Sequence, residues 1–356
     1  MVSLSSGAKA RILVKGDNEV VIAAAVRSAP AKSRKGGFKD MYPEEILSDV
    51  LQAALHQNSP ELAALHSGVP HATPLKTVNL QRSSGLADAN QVTDQIIGQT
   101  SIGIRAVVES MTFGCQAVLT DKEANDCLIP MGITSENVAT DFNFAPQSFQ
   151  KAMTARETFW KAKDKIVPLQ VQMFDPKTEK QVEIVVEADD GIRDGITSAS
   201  LAKVKPSFKV DGSTHANGAA AVILTRRSAA KPLGLPTLGK CVAASVAGVP
   251  HRIMGMGPIY AIPKSSQRKL IDEEFASQAI YSIEKIGIPF DNVNVNGSMI
   301  AMVHPLGCST ARQITRDLNI ARQRSERVFV TSMCIGSGMC MAALFVNKHC
   351  SQDMNV

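Results

Sequence analysis

The chain has 356 residues, 44% apolar and 20% charged, with 38 Lys and Arg against 33 Asp and Glu for a net charge of +5. That balance excludes an acidic tail protein and a polybasic nucleic-acid binder, and the apolar share excludes whole-chain disorder. Only 4% is aromatic, with one Trp and three Tyr, too few for the stacking platforms of single-strand binders.

The opening MVSLSSGAKARILVK lacks the apolar stretch of a signal peptide, and no apolar run reaches the roughly 18 residues of a membrane span. Seven scattered Cys without a CxxC pair point to a reduced compartment, either cytosol-like or an organelle entered by another route. The run EVVIAAA (19–25), after Gly16-Asp17-Asn18, predicts a buried strand. From Pro43, the spacing of Ile46, Leu47, Val50, Leu51, Ala54 and Leu55 predicts a helix with acids in its first turn. A strand followed by an amphipathic helix argues for an α/β layer. Between Ala117 and Pro206 the texture turns charged, with a helical stretch over 146–163 and the alternating run QVEIVV (181–186), as expected for an inserted subdomain. Buried-strand patterns resume in GAAAVILTRR (218–227) and LGKCVAASVAGV (238–249).

The densest chemical constellation is NGSMIAMVHPLGC (296–308) followed by SMCIGSGM (332–339). It sets His304 beside Pro and Gly, and places Cys334 in a Gly-rich loop after a strand over 328–332. A thiolate is the reactive form of Cys, so a neighbouring base is what such a thiol needs. The bland alternative, turns and satisfied core residues, weighs about equally for this pair. No GxGxxG fingerprint and no P-loop occurs, so nucleotide chemistry lacks support.

These segments, together with GGFKDMYPEEILS, PHATPLKTVN, DCLIPMGITSENVA, DDGIRDGITSASLAKVKPSFKVDGST and CVAASVAGVPHRIMGMGPIYAIPK, resemble the peroxisomal-type 3-ketoacyl-CoA thiolase family in the same order along nearly the whole chain. The resemblance implies an α/β thiolase fold: two similar βαβαβαββ halves in a five-layered α/β/α/β/α core with an inserted loop subdomain. The corresponding domains are 17–114 with 218–238, the loop subdomain 115–217, and 239–350. It implies thiolytic cleavage of a 3-ketoacyl-CoA by CoA in fatty-acid β-oxidation, through an acyl-cysteine. CoA and acyl-CoA are then substrates, and no metal or redox cofactor takes part. By position, His304 matches the activating base, Cys334 the second acid/base, and Gly336 the backbone donor of one oxyanion hole. Asp272 stands in the motif that holds the water of the other. Lys203, Lys205 and Arg226 match the region facing the CoA phosphates.

Departures accompany these matches. Where the family reads NRQCSSGL, this chain reads NLQRSSGL (79–86), so the nucleophile position holds Arg82. A guanidinium stays protonated and cannot attack a thioester. The NEAF motif reads DEEF (272–275), and the stretches before it, around 212–221 and after the first helix are shorter than the family pattern. The expectation is a thiolase by descent with impaired thiolysis. The alternative is a non-catalytic acyl-CoA-binding or thiolase-partner subunit, and a hydrolase using Ser83 or Ser84 is a distant third. The resemblance implies a homodimer or homotetramer, with a heterodimer with another thiolase as a variant. It also implies a peroxisomal location, although neither Arg11-Ile12 nor Met354-Asn355-Val356 completes a targeting signal, which leaves the cytoplasm as the other compartment.

Overall fold

A computed structural model describes residues 15–32, 36–41, 43–56, 78, 80–98, 102–108, 126, 129, 131–142, 166–175, 178–189, 216–217, 219–265, 276–295, 304, 307–336 and 338–348. The strands are β1 (Val20–Arg27), β2 (Ala31–Lys32), β3 (Ile102–Val108), β4 (Leu169–Asp175), β5 (Lys180–Val186), β6 (Ala216–Asn217), β7 (Ala219–Arg226), β8 (Gly239–Gly248), β9 (Val328–Ile335) and β10 (Met339–Asn347). The α-helices are α1 (Pro43–His56), α2 (Ser84–Ile97), α3 (Met131–Asp141), α4 (Arg227–Ala230), α5 (Gly257–Ser265), α6 (Ala276–Ile286) and α7 (Cys308–Gln323). The helix expected over 146–163 lies outside the described residues.

Six strands hydrogen-bond in the order β3-β7-β1-β8-β10-β9, every pair antiparallel. The two halves of this sheet, β3-β7-β1 and β8-β10-β9, meet only where Val21 faces Lys240 and Ile22 faces Gly239. Each half repeats one pattern: an inner strand early in its sequence, then a long helix followed directly by an edge strand and a middle strand. The continuous apolar runs of β1 and β7 are buried on both faces, which is what a sheet covered by helices on each side requires.

Alternation along those strands divides the core into layers. One face of β1 and β7 presents Val21, Ala23, Ala221 and Ile223 to Ile46, Val50 and Ala54 of α1. Leu169, Val171 and Val186 of the β4-β5 hairpin join the same cluster. The opposite face presents Val20, Ile22, Val222 and Leu224 to Leu86 and Ile96 of α2 and Ile314 and Leu318 of α7, and those helices bury Phe329, Phe345 and Met341 of the other half-sheet on their far side. The far face of β9 and β10, with Val330, Ala342 and Leu344, packs on Ile262 of α5 and Ile283 of α6. The sequence of layers is therefore α1, half-sheet, α2 with α7, half-sheet, α5 with α6. Each fully buried Leu, Ile or Phe contributes about 1.5–3 kcal/mol, so the middle layer shared by both halves is the chief tie between them.

Two ionic sets, one buried and one partly buried, reinforce this frame. Arg27 at the end of β1 forks onto Asp189, with nitrogen-to-oxygen distances of 2.6 and 2.9 Å. Burial disfavours the Asp189 charge, but Arg27 more than compensates and holds its carboxyl below the usual range. Arg312 of α7, beside this pair, is pushed down to about 10 by burial and by Arg27, with Asp189 opposing. At the junction of the half-sheets, Glu19 accepts from Arg227 at 2.8 Å and from Lys240, with Lys348 at 3.5 Å.

Candidate active site

The position expected for the nucleophile lies on a 3-10 turn, Gln81–Ser83, that leads into α2. Gln81 is held at φ 47°, a left-handed conformation uncommon outside glycine and characteristic of tight functional turns. Side chains of the turn satisfy its backbone. The Leu80 N–H donates to Ser84 Oγ at 2.9 Å, and Ser84 Oγ donates to the Gln81 carbonyl at 2.6 Å. Ser83, fully buried, donates to the carbonyl of Met333 on β9 at 3.0 Å. Both serine hydroxyls thus point their protons at backbone carbonyls, which removes the support for a serine hydrolase.

Helix α7 joins this turn to the base. Thr310 Oγ1, in its first turn, donates to the Arg82 carbonyl at 3.2 Å. One residue earlier, Ser309 Oγ lies 2.5 Å from His304 Nδ1, so a buried hydroxyl sets the imidazole's orientation. Further along the helix, Gln313 Nε2 donates to the carbonyl of Ser332 on β9 at 3.3 Å. One end of α7 therefore holds the turn of Arg82, the ring of His304 and the strand of Cys334.

The Arg82 side chain runs to Gly336. A β-carbon built on Gly336 would stand 3.1 Å from Arg82 Nη1 and 2.3 Å from Gln81 Oε1. The guanidinium and the Gln81 amide thus cover the backbone of the residue assigned to the oxyanion hole. Only a glycine leaves room for both.

Cys334 corrects the sequence expectation. It lies within β9, not in a loop, because pairing with β10 continues to Ile335 and sets Cys334 opposite Cys340. Its thiol is fully buried. Arg226 is half-buried at the end of β7, and its Nη2 donates to the Ile96 carbonyl at 2.5 Å, closing the C-terminal end of α2. Lys203, Lys205 and Asp272 lie outside the described residues. Sequence reasoning passed over Gln81, Ser309 and Thr310. The available signal was the Ser-Thr pair opening a helix five and six residues after His304. Among the described residues no cluster of three potential metal ligands occurs.

The family model described as "Thiolase, N-terminal domain" matches residues 39–228, and the one described as "Thiolase, C-terminal domain" matches 235–347. The chain is 41% identical to the peroxisomal 3-ketoacyl-CoA thiolase B of Rattus norvegicus over 92% of its own length and 91% of that protein's. It is 39% identical to the peroxisomal 3-ketoacyl-CoA thiolase of Yarrowia lipolytica over 94% of each. Among solved structures, the dimeric peroxisomal thiolase of Saccharomyces cerevisiae superposes with a TM-score of 0.83 at 34% identity, covering 95% of this chain and all of that one.

Proposed function

The chain belongs to the thiolase family, and from that premise we propose that it is a 3-ketoacyl-CoA thiolase-type acyltransferase of fatty-acid β-oxidation whose thiolytic turnover is impaired. The observation that carries the impairment is Arg82 at the nucleophile position with its guanidinium against Gly336. Thiolysis needs a thiolate to attack the 3-keto carbon, a base to form that thiolate, and a proton donor for the departing acetyl-CoA carbanion. His304 and Cys334 supply the last two roles in this reading, and Gly336 and Asp272 assist at the oxyanions. The nucleophile itself is replaced by a group that cannot give up its proton at any physiological pH.

Substrates are a 3-ketoacyl-CoA and CoA, with Lys203, Lys205 and Arg226 on the side of the CoA phosphates. The working unit is a homodimer, or a heterodimer with an active thiolase, located in the peroxisome. The domain division is 17–114 with 218–238, then 115–217, then 239–350.

A second reading, a non-catalytic acyl-CoA-binding or partner subunit, draws on the same substitution: a cation beside Gly336 favours binding an anion over attacking a thioester. A thiolysis assay on the purified chain tests the impairment. Turnover at least ~10³-fold below an active thiolase is expected from loss of covalent catalysis, and turnover comparable to an active thiolase overturns it. Arg82→Cys should restore an acyl-enzyme, formed from the 3-ketoacyl-CoA with release of acetyl-CoA and detectable by mass spectrometry. Calorimetry with CoA separates the two readings, since the binding-subunit reading requires a measurable heat.

A further inference from the structure

We propose that Cys334 and Cys340 form an oxidation site, closing a cross-strand disulfide within the β9-β10 hairpin in the presence of a hydroperoxide. The two residues face each other directly in an unbroken antiparallel register. The type of that pair follows from the ladder. The Asn347 N–H donates to the Arg327 carbonyl, which makes 327 and 347 a hydrogen-bonded pair. Such pairs alternate along an antiparallel ladder, so 329/345 through 335/339 are bonded, while 328/346, 330/344, 332/342 and 334/340 are not. The other side of β10 agrees. There the Val249 N–H donates to the Gly338 carbonyl, so that Cys340 turns its backbone toward Ala247 of β8 and away from β9.

A non-hydrogen-bonded pair brings its α-carbons to about 4.5 Å, with both side chains on one face. That separation falls at the short end of the roughly 4.4–6.8 Å that a disulfide spans. Both thiols are fully buried and neither is in a disulfide here. The Cys340 side chain is also confined from above. A β-carbon on Gly257, the first residue of α5, would stand 2.3 Å from Cys340 Cβ and 3.3 Å from its Sγ.

The chemistry balances with hydrogen peroxide as the oxidant. The Cys334 thiolate attacks one peroxide oxygen, the O–O bond breaks, and hydroxide leaves as Cys334 becomes a sulfenic acid. Cys340 then attacks that sulfur, the S–S bond forms and water departs. Two thiols lose two electrons in all, and one peroxide becomes two waters. The geometry stands independently of the catalytic reading. Only the consequence, loss of the thiol assigned to proton transfer, rests on it.

The test uses the purified full-length chain, reduced and then exposed to hydrogen peroxide before alkylation of free thiols and tryptic digestion. No Lys or Arg falls between Arg327 and Lys348, so one peptide, Val328–Lys348, carries both cysteines and no other. Most of that peptide is expected two hydrogens lighter and unalkylated, reverting to the doubly alkylated form after dithiothreitol. Cys340→Ala should instead leave a sulfenic acid at Cys334 that dimedone traps. The proposal is overturned if the wild-type peptide stays doubly alkylated while other thiols oxidise, if Cys334 is found bonded to a different peptide, or if it advances to sulfinic acid with Cys340 still alkylated. Should Cys340→Ala not fold, the wild-type peptide alone decides. An absent disulfide in a chain whose Arg82→Cys variant acylates sinks only this proposal. A disulfide in a chain whose repaired variant never acylates sinks only the thiolase reading.

Discussion

The Thr310 hydroxyl donates to the Arg82 carbonyl across 3.2 Å, a proton it shares with the Gly307 carbonyl at 3.3 Å, so the first turn of α7 grips the backbone of the substituted residue. The grip is indifferent to what stands at position 82, which explains how a large cation can occupy a small residue's place without dissolving the turn.

Arg82→Cys should therefore fold with a stability within about 1 kcal/mol of the parent, the usual range for a partly exposed site. Thr310→Ala removes the grip and should cost about 1 kcal/mol, the net value of one hydrogen bond. Urea unfolding midpoints of the two variants check this, and a Thr310→Ala midpoint equal to the parent's would refute the grip.

Two glycines should respond unequally to a methyl group. A β-carbon on Gly85 would stand 2.7 Å from the Ala311 backbone nitrogen and 2.6 Å from Thr310 Oγ1, so Gly85→Ala must push α2 off α7. A loss of about 1–3 kcal/mol is expected. At Gly336 the obstructing atoms are the ends of the Gln81 and Arg82 side chains, which can swing aside, so Gly336→Ala should cost less than about 1 kcal/mol. Thermal unfolding of both variants makes the comparison, and an equal loss would contradict it.

The buried Arg27–Asp189 pair should dominate acid stability. Removing one partner strands the other, so Asp189→Ala should cost about 3–5 kcal/mol. The Asp189 carboxyl titrates below its unfolded value of about 3.9. Its contribution is therefore present above that pH and is lost as pH falls through the depressed folded value. Unfolding free energies measured down to acid pH should show this loss in the parent and not in Asp189→Asn.

Lys348 carries the opposite dependence at alkaline pH. Burial pushes its ammonium down to about 8, with Glu19 opposing. The folded state thus binds that proton less readily than the unfolded chain, whose lysines titrate near 10.4. The destabilisation is absent above about 10.4, grows as pH falls toward about 8, and is complete below it. The parent should lose stability relative to Lys348→Met across that interval and run parallel to it at neutral pH. Parallel curves throughout would count against the shift.

Much of this was legible in the primary structure because it depends on local pattern. The unbroken apolar runs at 20–27 and 219–226 announce strands covered on both faces. Pro43 and the apolar spacing after it announce α1, and Arg82 in place of a thiol is visible in eight residues. What remained hidden depends on partners far away in sequence. Cys334 reads as a loop residue beside its glycines, and only pairing with β10 extends β9 through it. Arg226 reads as one of the cations facing the CoA phosphates, and only the packing of α2 against β7 brings the Ile96 carbonyl to it.

The amino-acid sequence by itself determined the family, the principal buried strands with the first helix, and the absence of a nucleophilic thiol at position 82, because each is a matter of which residue types follow one another. The tertiary structure alone decided where the Arg82 guanidinium goes, what holds His304, and which thiol faces Cys334. Those three depend on the approach of α7, β9 and β10, whose contacting residues are brought together by burial of apolar surface between the half-sheets and not by any local preference of the chain.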